Sequence, residues 1–172
     1  MKTNMNAHEG RMEETQQIAV SISDMKFSTR KEDVIVTFSL GSCLGITAYD
    51  PLRKIGALMH ALLPNESASP HRARSNPYMF VNVGFRSMLD KLEQLGAPRR
   101  SLILKAAGGA DMRGDNLFRT GARNLEALQR VLREERLALD GYEVGGTIPR
   151  TLYLFLQTGD VVVKTFGKTR AI

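Results

Sequence analysis

Tryptophan is absent from the 172 residues, and phenylalanine and tyrosine leave the aromatic share at only 6%. With few rings and no basic run interleaved with them, the chain has no stacking platform for single-stranded nucleic acid. Its net charge of +6 is therefore read as an attraction for an acidic partner, with a protein surface preferred to nucleic acid. Cysteine occurs once, at Cys43, which excludes an internal disulfide and a multi-thiol metal site. The three histidines are scattered, so no metal-ligand spacing emerges and no cofactor is expected. The longest apolar run, around Ile55–Leu63, falls far short of the ~20 residues a membrane helix needs. The first seventeen residues, MKTNMNAHEGRMEETQQ, contain no apolar stretch, so no secretory signal and a cytoplasmic location are expected.

What remains is the balance of a soluble globular domain: 42% apolar and 24% charged residues, long enough for one sizeable core. Residues 1–17 are expected to form a disordered tail and residues 18–172 a single domain. Ile18–Ser23 and Lys26–Thr29 read as short strands, with Asp24 near the turn between them. Val34–Phe38 is a β-branched run, and Leu44–Tyr49 and Ile55–Leu63 are further strands ended by Asp50-Pro51 and Pro64. Pro64 to Pro77 reads as a loop long enough to be mobile or functional, carrying the basic cluster His71-Arg72-Ala73-Arg74. Asn76-Pro77 predicts a helix start, and Phe80, Val81, Gly84, Phe85, Met88, Leu89, Leu92 and Leu95 recur at helical spacing as a core stripe. Ser101–Ala107 reads as a strand, followed by Gly108-Gly109 and a polar loop to Phe118. Thr120 is placed as the cap of a second helix, and Glu143–Pro149 as a turn. Thr151–Gln157 and Val161–Phe166 form a terminal hairpin.

Chemistry gathers around Leu40-Gly41-Ser42-Cys43, with Thr37 six positions before the cysteine and His60 seventeen after it. A lone cysteine and a histidine on a neighbouring element are a candidate nucleophile and base. From the residues alone the alternative stands beside it: a buried cysteine as inert packing, Thr37 as strand composition, and His60 as a core histidine among leucines. The residues after Cys43 look extended, so no helix dipole would assist a thiolate, and activation falls to a positioned imidazole. Gly41 and Gly45 permit a tight backbone, Gly108-Gly109 a turn, and Asp50 closes a turn before Pro51. His8 and His71 receive no chemical role.

The blocks TFSLGSCLGITAYDP, IGALMHALLP, LKAAGGADM, TGARN, EVGG and TGDVVVK, in that order, resemble the CheD family of bacterial chemotaxis proteins from about Val34 to Lys164. The resemblance implies an α/β (α+β) fold: a single-domain layered α/β/β sandwich with mixed sheets and two main helices, similar to toxin deamidase domains. It implies a protein-glutamine deamidase that converts chemoreceptor glutamines to glutamates, some members also acting on glutamate methyl esters. Carried over by motif, Cys43 matches the nucleophile, His60 the general base and Thr37 the third triad position, with no metal. Thr37 is expected to accept a hydrogen bond from the second imidazole nitrogen. The oxyanion is expected to take the Cys43 N–H and one donor from a nearby glycine turn. Asn124, within TGARN, is expected to hydrogen-bond or pack rather than react. The implied partners are the cytoplasmic helices of methyl-accepting receptors. The alternative reading is a regulatory module that binds a CheC-like phosphatase. The chain departs from the family pattern at Gly56-Ala57, Lys105–Ala110 and Pro149-Arg150, which bears on substrate-site shape and docking.

Overall fold

The β-branched run at Val34 places its side chains in two different apolar neighbourhoods. Ile35 enters one cluster, and Val34 and Val36 enter another on the opposite face. A strand buried on both faces reads as a continuous apolar run and not as an alternation. The computed structural model describes residues 16–112 and 119–172. Within them lie β1 (Gln17–Val20), β2 (Asp24–Ser28), β3 (Val34–Leu40), β4 (Leu44–Asp50), β5 (Ile55–Ala61), β6 (Ile103–Gly108), β7 (Gly141–Val144), β8 (Arg150–Phe155), β9 (Val161–Thr165) and β10 (Lys168–Ala171). The helices are α1 (Pro70–Ser75), α2 (Val81–Gln94) and α3 (Thr120–Glu135).

The strands form two five-stranded sheets, ordered β1-β3-β8-β9-β10 and β2-β5-β4-β6-β7. Both are mixed, since β1 runs parallel to β3 and β7 parallel to β6 while the other pairs are antiparallel. The second sheet is the middle layer. One of its faces meets the first sheet through Leu58, Tyr49 and Ala107 against Ile35, Leu152 and Leu154. Its other face meets α2 and α3 through Ile46, Ala48, Ala57 and Met59 against Phe85, Met88, Leu89, Leu128 and Val131. The result is the expected α+β sandwich with two main helices. Every residue of β4 and β5 is buried, as the middle of three layers requires. Truncating a fully buried anchor such as Phe85 to alanine is expected to cost about 3–5 kcal/mol.

Several boundaries differ from the sequence reading for identifiable reasons. Gln17 belongs to β1, paired with Val34, and not to the expected tail, while residues 1–15 lie outside the described residues. β2 begins at Asp24, which pairs with His60, and not at the expected Lys26; the turn lies beside Asp24 as expected, at Ser23 with φ of 60°. The segment after Pro64 is not an open loop: Asn65 caps a 3₁₀ turn at Glu66–Ala68, and α1 follows. Asn76 does cap, accepting from the Tyr78 N–H, but the element it caps is the 3₁₀ turn Pro77–Met79. Phe80 is extended because it bridges Leu63, and α2 therefore begins at Val81. Thr120 is the first helical residue of α3 and caps nothing; Arg119, at φ of 39°, takes the cap position. β7 and β10, both four residues long, were not resolved from the sequence. Part of the expected polar loop, residues 113–118, lies outside the described residues.

Candidate active site

The chain passes from one sheet to the other between β3 and β4, and Cys43 sits at the end of that crossing. The β3–β8 register shifts between Thr37 and Leu40, and Ser39 takes a positive φ of 57°, which together turn the chain out of the first sheet. Cys43 is buried and packs in the cluster between the sheets, directly before β4. His60 lies in the middle sheet with a strand on each side, opposite Asp24 on β2 and Gly45 on β4. Its backbone carbonyl accepts from the Ser23 N–H at 2.9 Å. Because Gly45 faces His60 and Cys43 lies two residues earlier, cysteine and histidine are diagonal neighbours on the inter-sheet face. Thr37 comes from the facing sheet. All three predicted residues converge on one seam.

The hydrogen bonds there determine the imidazole tautomer. Thr37 Oγ1 lies 2.9 Å from the Val20 carbonyl and 2.7 Å from His60 Nδ1. A hydroxyl has one proton and a carbonyl can only accept, so Thr37 donates to Val20. It then accepts from Nδ1–H, and the Nε2 lone pair is left bare. Nε2 is buried and has no hydrogen-bond partner. The Val20 carbonyl was invisible in the sequence. It comes from the parallel β1–β3 pairing, which sets Val20 beside Thr37.

Burial favours the neutral form of both side chains. Removal from water pushes the His60 pKa from 6.5 down to about 4. The same desolvation raises the Cys43 thiol above its ordinary value, only partly opposed by its own backbone N–H. The resting site therefore holds a thiol and a neutral imidazole, and not a preformed thiolate–imidazolium pair.

The turn around Cys43 is braced by backbone contacts. The Gly109 N–H donates to the Cys43 carbonyl at 2.8 Å, and the Ala110 N–H to the Gly41 carbonyl at 2.9 Å. These commitments leave neither the Gly109 nor the Ala110 N–H free to serve as an oxyanion donor. Gly108 has φ of 107°, and a Cβ there would stand 2.2 Å from the Cys43 carbonyl oxygen, so only glycine permits this approach. Asn124 is fully buried on α3, and its Nδ2 donates to the carbonyls of Ser42 at 2.9 Å and Leu62 at 3.1 Å, the hydrogen-bonding role expected of it.

The remaining candidates lie elsewhere. Asp50 is at the far end of β4, where it accepts from Ser101, Arg53 and Leu52. Burial pushes its carboxyl up, but these bonds outweigh that and hold it below the usual carboxylate range. His71 is exposed on α1, and His8 lies outside the described residues. Among the described residues, no group of three or more His, Cys, Asp or Glu side chains is arranged to hold a metal. No helix among them is long and apolar enough to cross a membrane.

A family model described as CheD chemotactic sensory transduction matches residues 62–165. That span begins just after His60, whereas the similarity to whole proteins covers most of the chain. A probable chemoreceptor glutamine deamidase CheD of Solibacter usitatus is 38% identical over 158 residues, 91% of this chain and 94% of that protein. Its namesake in Symbiobacterium thermophilum is 40% identical over 154 residues, 87% of this chain and 93% of the relative. The one in Pyrococcus abyssi is 39% identical over 151 residues, 86% and 90% respectively.

Proposed function

The chain belongs to the CheD family of chemotaxis proteins, and on that premise we propose that it deamidates glutamine side chains of chemoreceptor cytoplasmic helices through a Cys43 thioester. The observation that carries this reading is the chain of bonds from the Val20 carbonyl through Thr37 to His60. It presents a bare Nε2 on the face that also carries Cys43.

In the first half-reaction Nε2 takes the Cys43 proton as sulfur attacks the carboxamide carbon. Burial holds the imidazole pKa below its ordinary value, so His60 is a weaker base than a solvated histidine. The tetrahedral oxyanion collapses, Nε2–H protonates the departing nitrogen, and ammonia leaves behind a thioester. In the second half-reaction water gives a proton to Nε2 and attacks the thioester. Collapse then expels the thiolate, which recovers its proton from the imidazolium. Thr37 holds the ring throughout and, being uncharged, stabilises the transient imidazolium less than an aspartate would. A glutamate methyl ester would follow the same course with methanol as the leaving group. Work on receptor cytoplasmic helices sets the protein in the cytoplasm.

The test is the intact mass of a receptor cytoplasmic fragment after incubation with the protein or its Cys43→Ala variant. The expected result is a gain of about one mass unit per modified glutamine, with ammonia released, by the unsubstituted protein alone. An unchanged mass with a cognate receptor and folded protein would shift the reading to a regulatory docking role on a CheC-like phosphatase.

A further inference from the structure

Three successive carbonyls at the nucleophile turn are held from one side. Those of Gly41 and Cys43 are held by the backbone N–H groups of Ala110 and Gly109. The carbonyl between them, of Ser42, is held by the Asn124 side chain alone among the bonds recorded there. A peptide unit is planar and trans, so its N–H points opposite to its C=O. The Ser42 carbonyl and the Cys43 N–H belong to the same unit. Fixing the first therefore aims the second, and a carbonyl that accepts a hydrogen bond also polarises its N–H into a better donor.

Three further observations tie Asn124 to this task. Its amide orientation is dictated by chemistry, because a flip would set Oδ1 against two carbonyl oxygens. Oδ1 is instead left buried with no partner, so the amide spends its donors on these two carbonyls while its acceptor goes unused. The helix that bears it is seated at backbone contact: a Cβ on Gly121 would stand 2.5 Å from the Gly109 carbonyl oxygen and 2.7 Å from that of Ala110. Asn124 also reaches the carbonyl of Leu62, two residues beyond His60, so one side chain spans the nucleophile turn and the end of the base strand.

We propose that Asn124 is a positioning residue that orients the Ser42–Cys43 peptide so that the Cys43 N–H receives the oxyanion. The adjacent Ser42 N–H, whose own peptide is held through the Gly41 carbonyl, supplies the second donor. Among the described residues neither amide donates to a backbone carbonyl, and the Cys43 N–H is turned toward its own sulfur, the attacking atom. This inference rests on the deamidase reading and adds a source of oxyanion stabilisation other than the committed Gly109 and Ala110 N–H groups.

The experiment compares the full-length protein with Asn124→Ser and Asn124→Ala, following kcat and KM for a receptor fragment and thermal unfolding. The same proteins are treated with iodoacetamide at pH 9, where sulfur displaces iodide from a saturated carbon and no oxyanion forms. The expected result is a kcat lowered about 10²-fold, with KM and the Cys43 alkylation rate each within about fivefold of the unsubstituted protein. A folded variant with unaltered kcat would overturn the inference, and so would a parallel fall in kcat and alkylation, which would mean the turn has merely collapsed. If both variants unfold, the unsubstituted protein decides. An aldehyde that adds to the Cys43 sulfur, its thiol proton passing to the carbonyl oxygen, should move the Cys43 amide resonance downfield, and an unmoved resonance overturns the proposal. If the unsubstituted protein itself fails to deamidate, the functional reading falls first. If it deamidates while Asn124→Ser keeps full kcat, this inference falls alone.

Discussion

Acidification from pH 7 to pH 4 should destabilise the protein through His60, by an amount set by its burial. The folded protein holds the imidazole pKa at about 4, against 6.5 when solvated. As pH falls, the unfolded chain takes up the proton first, so folding is progressively disfavoured below pH 6.5. The loss is complete at about pH 4, where the folded protein also protonates. A 2.5-unit depression, at about 1.4 kcal/mol per unit, corresponds to about 3 kcal/mol in total and about 2 kcal/mol by pH 5. Asp50 contributes with the same sign, but only below the ordinary carboxyl range, since its folded pKa is depressed. Urea unfolding at a series of pH values, for the unsubstituted protein and for His60→Asn, isolates the imidazole. The asparagine amide can still donate to Thr37 but cannot titrate in this window. The variant is expected to be less stable at pH 7 and to lose about 2–3 kcal/mol less than the unsubstituted protein between pH 7 and 4. Parallel pH dependences for the two would refute the assignment of a desolvated, neutral His60.

Two further outcomes follow from the same geometry. Because Cys43 rests as a thiol with a raised pKa, its alkylation by iodoacetamide should climb about tenfold per pH unit from pH 7 to 9; a rate already flat at neutral pH would reveal a preformed ion pair. Thr37→Val removes the acceptor of Nδ1–H and the donor to Val20, so stability should fall by about 1–3 kcal/mol. Deamidation kcat should drop at least about tenfold, Thr37→Ser restoring both; equal kcat in the valine and serine variants would remove Thr37 from the mechanism.

How much of this was legible beforehand depends on whether a feature is local. The strands β3, β4 and β5 announced themselves through β-branched runs and proline stops, and the α2 stripe through its spacing. The triad positions came from motif resemblance, and the convergence of Thr37 and His60 across two sheets could not be read from spacing. β7 and β10 escaped because each is four residues long and has partners far away in sequence or a weakly apolar pattern. Gly108-Gly109 looked like any turn. That Gly108 must be glycine depends on the Cys43 carbonyl lying against it, a contact between residues 65 positions apart. The Val20 carbonyl, a backbone group, leaves no trace in residue identity at all. Asn124 was legible through the TGARN block, but its two acceptors were not.

The central claim is covalent catalysis by Cys43, and partitioning with hydroxylamine tests it most directly. A thioester is intercepted by an added nucleophile, so the receptor fragment should acquire glutamyl hydroxamate at the expense of glutamate, in proportion to hydroxylamine and only when Cys43 is present. Glutamate as the sole product at every hydroxylamine concentration, with deamidation otherwise proceeding, would mean that water attacks the carboxamide directly and would contradict the account.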